Sequence, residues 1–217
     1  MKLILTGATG LSGAEVLKQA LNDKDIERIT VLTRKSVDQS HPKLNEIILK
    51  DFTDYSGVVD KISDHDACIW ALGISQNAVG KEEYIKITED YTMAAAKCFF
   101  KANPNMRFLF LSGQGADQKE KSFTLFGNVK GRTERRLLEM NNQNVFNFRP
   151  AYIQPSAPRA NPRILESVIA PIVPLINTMT DGFSVPSAQL ARCMIGVAKH
   201  SNSMHLFDNK AIKYYKE

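Results

Sequence analysis

Lys2-Leu3-Ile4-Leu5-Thr6-Gly7-Ala8-Thr9-Gly10-Leu11-Ser12-Gly13 joins an apolar run to three spaced glycines and the start of an amphipathic segment. Lys2–Thr6 reads as a buried strand. Leu11–Asn22, with Ala14, Leu17 and Leu21 at helical spacing, reads as a helix. A strand that passes through glycines into a helix presents unpaired N–H groups and the positive end of the helix dipole at one spot, which suits a phosphate. Gly7 can take a positive-φ turn, Gly10 lets the backbone approach a pyrophosphate, and Gly13 lets the helix pack closely on the strand. Thr9, Leu11 and Ser12 lie in the same turn. The residues in this context point to a dinucleotide-binding loop.

Outward from this segment the same alternation continues. Apolar runs at Ile29–Thr33, Glu46–Lys50, Ala67–Leu72, Arg107–Ser112 and Val145–Arg149, with a weaker one at His205–Phe207, read as further strands. Helical periodicity covers Lys81–Ala102, Phe126–Met140 and Ser187–Lys199. Strands that are apolar throughout are covered on both faces, so the expected fold is α/β. It is a single Rossmann-like domain over 1–217, a doubly wound parallel sheet with helices on both faces. Pro150–Pro174 is the most proline-rich part, and residues 150–181 read as a lid or substrate-side segment. Its apolar residues Ile164, Leu165, Val168, Ile169 and Ile172 can line a pocket or simply pack.

Composition narrows the function classes. The net charge is +5 and the pI about 9.0, yet no run of five like charges occurs, so nucleic-acid binding is not expected. Cys68, Cys98 and Cys193 have no metal-ligand or disulfide spacing and read as reduced core residues. The four histidines, His41, His65, His200 and His205, show no triad or metal spacing and read as surface residues, so no metal is expected. The N-terminal residues leave no room for a leader before the first strand, and no apolar stretch reaches the roughly 18 residues of a membrane span. A cytoplasmic location, with no membrane partner, is the expectation. Trp70 reads as core.

In a doubly wound sheet ligands bind at the carboxyl ends of the strands. The second strand ends Thr33-Arg34-Lys35, without the acidic residue that pairs with the 2′-hydroxyl of an NAD ribose. A guanidinium at Arg34 favours a 2′-phosphate, so NADP(H) is expected over NAD(H). Lys35 reads either as part of that site or as an exposed loop cation. Asp51 and Phe52 follow the third strand and can meet adenine, although Asp51 reads equally as a cap. Ala71-Leu72-Gly73 ends the fourth, where small residues let a ribose pass.

Together with Leu-Ser-Gly-Gln-Gly-Ala-Asp at 111–117, Val-Lys-Gly-Arg-Thr-Glu at 129–134 and Phe-Arg-Pro at 148–150, these motifs carry a family resemblance over nearly the whole chain. The chain resembles the atypical short-chain dehydrogenase/reductases of the NAD(P)H-binding, NmrA-like kind, and is similar to the Tat-interacting oxidoreductase-like proteins. The resemblance implies a catalytic Ser, Tyr and Lys, with Tyr four residues before Lys on one helical face. It puts Ser112 in the serine place and Lys130 in the lysine place, and brings Pro150 and Tyr152 near the nicotinamide. The tyrosine place holds Phe126, which has no proton to give, and no tyrosine in the chain is followed four residues later by lysine. Two expectations follow. One is an NADPH-dependent oxidoreductase with a small-molecule substrate and another acid. The other is an NADPH-binding regulator or redox sensor without redox chemistry.

Overall fold

The computed structural model describes residues 1–156, 183–200 and 202–216. Its strands are β1 (Lys2–Thr6), β2 (Arg28–Thr33), β3 (Leu44–Ile48), β4 (Ala67–Trp70), β5 (Arg107–Leu111), β6 (Val145–Arg149), β7 (Tyr152–Gln154), β8 (Ser184–Pro186) and β9 (Leu206–Asp208). Among the described residues, seven of them form one sheet in the order β3-β2-β1-β4-β5-β6-β9, with every ladder parallel. The short strands β7 and β8 pair separately.

Side-chain alternation along the strands sorts the core into two layers. Leu3, Leu5, Ile29, Val31, Ile69 and Leu109 point to one face, which is covered by α1 (Leu11–Asn22) and by the helix Ser187–Lys199. Ile4, Leu32, Cys68, Trp70, Phe108 and Phe110 point to the other. That face meets α2 (Val59–Ile62), α4 (Tyr91–Ala102) and α5 (Leu125–Met140). Ser187–Lys199 is α6, and Asn209–Lys213 is α7. Trp70 is fully buried and stacks on Phe108 with ring centroids 5.8 Å apart. Each such large side chain contributes about 2–3 kcal/mol by leaving water. Two faces covered by helices give the doubly wound α/β domain expected from the sequence.

Several details depart from the sequence reading. The helix expected over Lys81–Ala102 is not continuous: α3 (Lys81–Ile85) passes through a π turn at Lys86–Asp90 before α4. There the Tyr91 N–H bonds back five residues to the Lys86 carbonyl, accommodating one extra residue. His65 is not a surface residue; it is fully buried at the base of β4. Its Nε2 lies 2.8 Å from Thr30 Oγ1 and its Nδ1 3.1 Å from Asp64. The third strand begins and ends two residues earlier than expected, at Leu44–Ile48, and the fourth ends two residues earlier, at Trp70. The apolar residues expected at 164–172, and residues 157–181 of the expected lid, lie outside the described residues. Among the described residues no helix is long and apolar enough to cross a membrane.

Candidate functional site

Strand order reverses at β1, whose neighbours are β2 on one side and β4 on the other. The crevice at their carboxyl ends is formed by the glycine turn. Gly7 has φ +68°, and a Cβ there would run into the Ala71 carbonyl and reach 2.9 Å from Leu72 N. At Gly13 a Cβ would collide with the Gly7 carbonyl and lie 3.0 Å from Ala8 N. The turn is closed by Gly10 N donating to the Gly7 carbonyl at 2.8 Å. Gly10 caps α1 without a side-chain acceptor, and no acidic residue stands in the first turn of that helix. The first N–H groups of α1 are therefore left for an anion. Thr6 Oγ1 accepts from Leu72 N at 3.1 Å and ties the tips of β1 and β4 together.

Gly10, Ala71, Leu72 and Gly73 are shared by two adjoining depressions, and Arg34, Leu72 and Gly73 extend the trough into a third. Thr9, Thr33, Arg34 and Lys35 line the middle part, of about 570 Å³. Arg34, Phe52, Glu82, Lys86, Ile87 and Tyr91 line the part beyond β2, of about 470 Å³. Phe52 is buried, with its ring 5.7 Å from that of Tyr91. Thr33 Oγ1 donates to the Lys35 carbonyl at 2.7 Å, which shapes the loop that exposes Arg34. Leu11, Ser12, Ser75, Gln76, Ser112, Phe126, Lys130 and Ile153 border the opposite end, a cavity of about 470 Å³.

Lys130 reaches this end because α5 packs directly on the loop after β5. A Cβ on Gly131 would collide with the Asp117 backbone, and the Asp117 N–H bonds to the Gly127 carbonyl at 2.9 Å. Arg149 on β6 grips the fully buried Glu134 of α5 with two hydrogen bonds, and Gln118 adds a third at 3.0 Å. On the other side, Arg132 and Arg136 hold the buried Glu89 of the π turn. The motif Val-Lys-Gly-Arg-Thr-Glu thus seats α5 on three neighbours and fixes Lys130. Its Nζ donates to the Leu111 carbonyl at 2.9 Å and lies 4.6 Å from the centre of the Phe110 ring. Lys130 is only 7% exposed. Burial brings its amine down to about 8, against the opposing pull of the Glu134 carboxylate one turn on. Ser112, also 7% exposed, has a buried Oγ without a hydrogen-bond partner among the described residues.

Phe126 is the second residue of α5, its N–H bonded to Gln76 Oε1 at 2.8 Å. Its ring meets Gly113 end-on. A Cβ on Gly113 would sit 2.6 Å from Cζ and 3.4 and 3.5 Å from the two Cε atoms, on the long axis of the ring. A hydroxyl on Cζ would be driven into the Gly113 backbone.

The structure thus brings together Gly10, Leu11, Ser12, Ala71, Leu72, Gly73, Ser112, Phe126 and Lys130. Asp51 stands apart. Its carboxylate accepts from Thr53 N and Oγ1 at 2.8 and 2.7 Å, contacts that hold it below the usual carboxylate range. Pro150 is buried, and its carbonyl accepts from Gln114 N at 2.8 Å. Ile153 borders the cavity, whereas Tyr152 stacks on Phe183 with centroids 6.3 Å apart. Lys86, Tyr91 and Gln76 were missed in the sequence. They come from a π turn, a helix and a loop with no motif to mark them.

The residues present fit a dinucleotide. A cradle that any Cβ would fill, an uncapped helix end, and a buried amine and a hydroxyl without a partner among the described residues, both on residues that border one cavity, all lie along one trough. Residues 7–145 match the model of the family described as NAD(P)H-binding. Over 143 residues the chain is 34% identical to leucinostatins biosynthesis cluster protein T of Purpureocillium lilacinum, covering 64% of this chain and 52% of that protein. Over 216 residues it is 26% identical to protein HTATIP2 of Rattus norvegicus, covering 97% of this chain and 87% of that protein. A third relative, the mitochondrial protein FMP52 of Meyerozyma guilliermondii, is 28% identical over 70% of this chain and 65% of its own length. The chain therefore spans about half the length of the first of these relatives and most of the second. Among solved structures, UDP-glucose 4-epimerase of Thermotoga maritima shares the fold with a TM-score of 0.69 at 16% identity, covering 90% of this chain and 72% of that one. WbmF of Bordetella bronchiseptica, solved in complex with NAD+, does so with a TM-score of 0.69 at 11% identity, over 96% and 72%. The chain belongs to the NAD(P)H-binding family.

Proposed function

We propose that the chain is an NADPH-dependent oxidoreductase acting on a small carbonyl compound. The observation that carries the reading is the pairing of the partnerless, buried Ser112 Oγ with the buried Lys130 amine at the far end of the trough that begins at Arg34. In this reading the Gly7–Gly13 turn and the first turn of α1 hold the pyrophosphate, and Ala71, Leu72 and Gly73 pass the ribose. Arg34, assisted by Lys35, binds the 2′-phosphate, while Phe52 borders the adenine. When bound, the reduced nicotinamide supplies a hydride. Ser112 orients the substrate oxygen, and Lys130 binds the nicotinamide ribose. Residues 150–181 form the substrate side. The three free thiols, two of them buried, suit a reducing compartment, and we assign the cytoplasm. Nucleic acid is not a partner in this reading.

Phe126 favours a second reading, a dinucleotide-binding regulator or redox sensor that has kept the cleft and given up the chemistry. NADPH and NADH titrations of the wild type and of Arg34→Ala test the cofactor, and a panel of aldehydes and diketones tests the reaction. A charge-assisted contact of about 1.5–3 kcal/mol predicts an NADPH preference of roughly tenfold to a hundredfold, lost in Arg34→Ala. Equal wild-type affinities for the two cofactors contradict the NADPH assignment. Tight NADPH binding with no reduction of any carbonyl favours the regulator.

A further inference from the structure

Hydride addition to a carbonyl leaves an oxygen that must gain a proton, and Phe126 has none to give. Among the described residues that line the cavity beside Ser112, Lys130 is the only ionisable side chain. The others are apolar, hydroxyl or amide groups, and Tyr152 is not among them. A serine hydroxyl can orient the oxygen, but without a base to reload it is a poor proton source. We propose that Lys130 is itself the general acid, its Nζ delivering the proton to the substrate oxygen that Ser112 Oγ orients. This rests on the reductase reading above. The step balances: the hydride of a reduced nicotinamide dinucleotide forms the new C–H bond, and the carbonyl π pair moves to oxygen. One Nζ–H bond breaks as the O–H bond forms, and the neutral amine then regains a proton from water.

The geometry suits this role. Nζ donates to the Leu111 carbonyl, one residue from Ser112, which engages one of its three hydrogens. Among the described residues the charged and polar groups around it are these. Glu134 lies one turn along α5, with its charge engaged by Arg149 of β6. From β5 come the Phe110 ring and the Leu111 carbonyl. On the loop packed against Gly131, the Asp117 carboxylate is bonded to the N–H groups of Lys119 and Lys121. Among the described residues no carboxylate is bonded to Nζ, and burial brings the amine to about 8, a value from which it can give a proton near neutral pH.

The test uses the full chain with NADPH and a panel of aromatic aldehydes and α-diketones. Wild-type kcat is expected to fall above about pH 8. Lys130→Arg keeps a cation that does not release its proton; it is expected to bind NADPH by fluorescence titration, to lose about a hundredfold or more in kcat, and to lose the limb near pH 8. Lys130→Ala is expected to regain turnover with added methylammonium. In ¹⁵N-lysine spectra, the resonance absent from Lys130→Ala should titrate near pH 8 in the wild type. An unchanged kcat and pH profile in Lys130→Arg would overturn the assignment to Lys130 while leaving the reductase reading intact. A resonance titrating above pH 10, or no rescue of an alanine variant that binds NADPH, would do the same. Wild-type protein that reduces none of the probes overturns the reductase reading, and this proposal with it.

Discussion

Phe126 and Lys130 carry the consequences at the scale of single residues. Because the Phe126 ring abuts Gly113 along its own axis, Phe126→Tyr does not simply restore a proton donor. The tyrosine must swing away from Gly113. We expect it to leave kcat within tenfold of wild type, short of the hundredfold or more that a recovered acid would give. Steady-state kinetics on the same carbonyl panel check this, and a gain of a hundredfold or more would refute the geometry. Lys130 is a stability liability. Its folded-state pKa is lowered from 10.5 to about 8, so the unfolded chain binds more protons between those values. The burial penalty is complete below pH 8 and fades as pH rises toward 10.5. Lys130→Met is therefore expected to raise stability at pH 7 by roughly 1–3 kcal/mol, after the lost bond to the Leu111 carbonyl is discounted. That gain should shrink by pH 10. Urea unfolding at the two pH values measures it; a destabilised methionine variant at pH 7 would contradict the burial argument.

At the scale of elements, the π turn and α5 stand or fall together. Burial alone would raise the Glu89 carboxyl, but hydrogen bonds from Arg132 and Arg136 outweigh it and hold its pKa below the usual value. A depressed carboxylate stabilises the fold above its unfolded pKa of about 4.3, and this contribution is lost as pH falls through the folded value. Glu89→Gln is expected to cost roughly 1–3 kcal/mol near neutral pH, since Arg132 and Arg136 are partly exposed. The deficit should close as the pH is lowered below about 4. Chemical denaturation across that range is the check, and a pH-independent deficit would refute the electrostatic account. The π turn was not legible in the sequence, because Tyr84, Ile87, Tyr91 and Cys98 keep near-helical spacing through the extra residue. The main strands were legible, because parallel strands buried on both faces are continuously apolar. The three-residue strands β7 and β8 carry too few side chains to show a period. His65 escaped because its burial depends on Thr30, a distant residue on β2.

For the whole molecule, the doubly wound sheet places the ends of β1, β2 and β4 along one trough, and β5 with α5 at its far end. This is why the glycine turn and Arg34 could be expected at one crevice from their places at strand ends, whereas Ser112 was expected there only from the family resemblance. The sequence could not indicate the closeness of Phe126 to Gly113, the burial of Lys130 or the isolation of Asp51, which arise from how α5 and the loops pack. The trough predicts one dinucleotide per chain. Gly13→Val, which would drive a side chain into the Gly7 carbonyl, should abolish binding. Thermal unfolding of that variant shows whether the fold survives the change. The most direct measurement is calorimetric titration of the wild-type chain with NADPH and, separately, with NADH. One NADPH site, at least tenfold tighter than NADH, is the result expected. Failure of the folded protein to bind either cofactor would contradict the account at its centre.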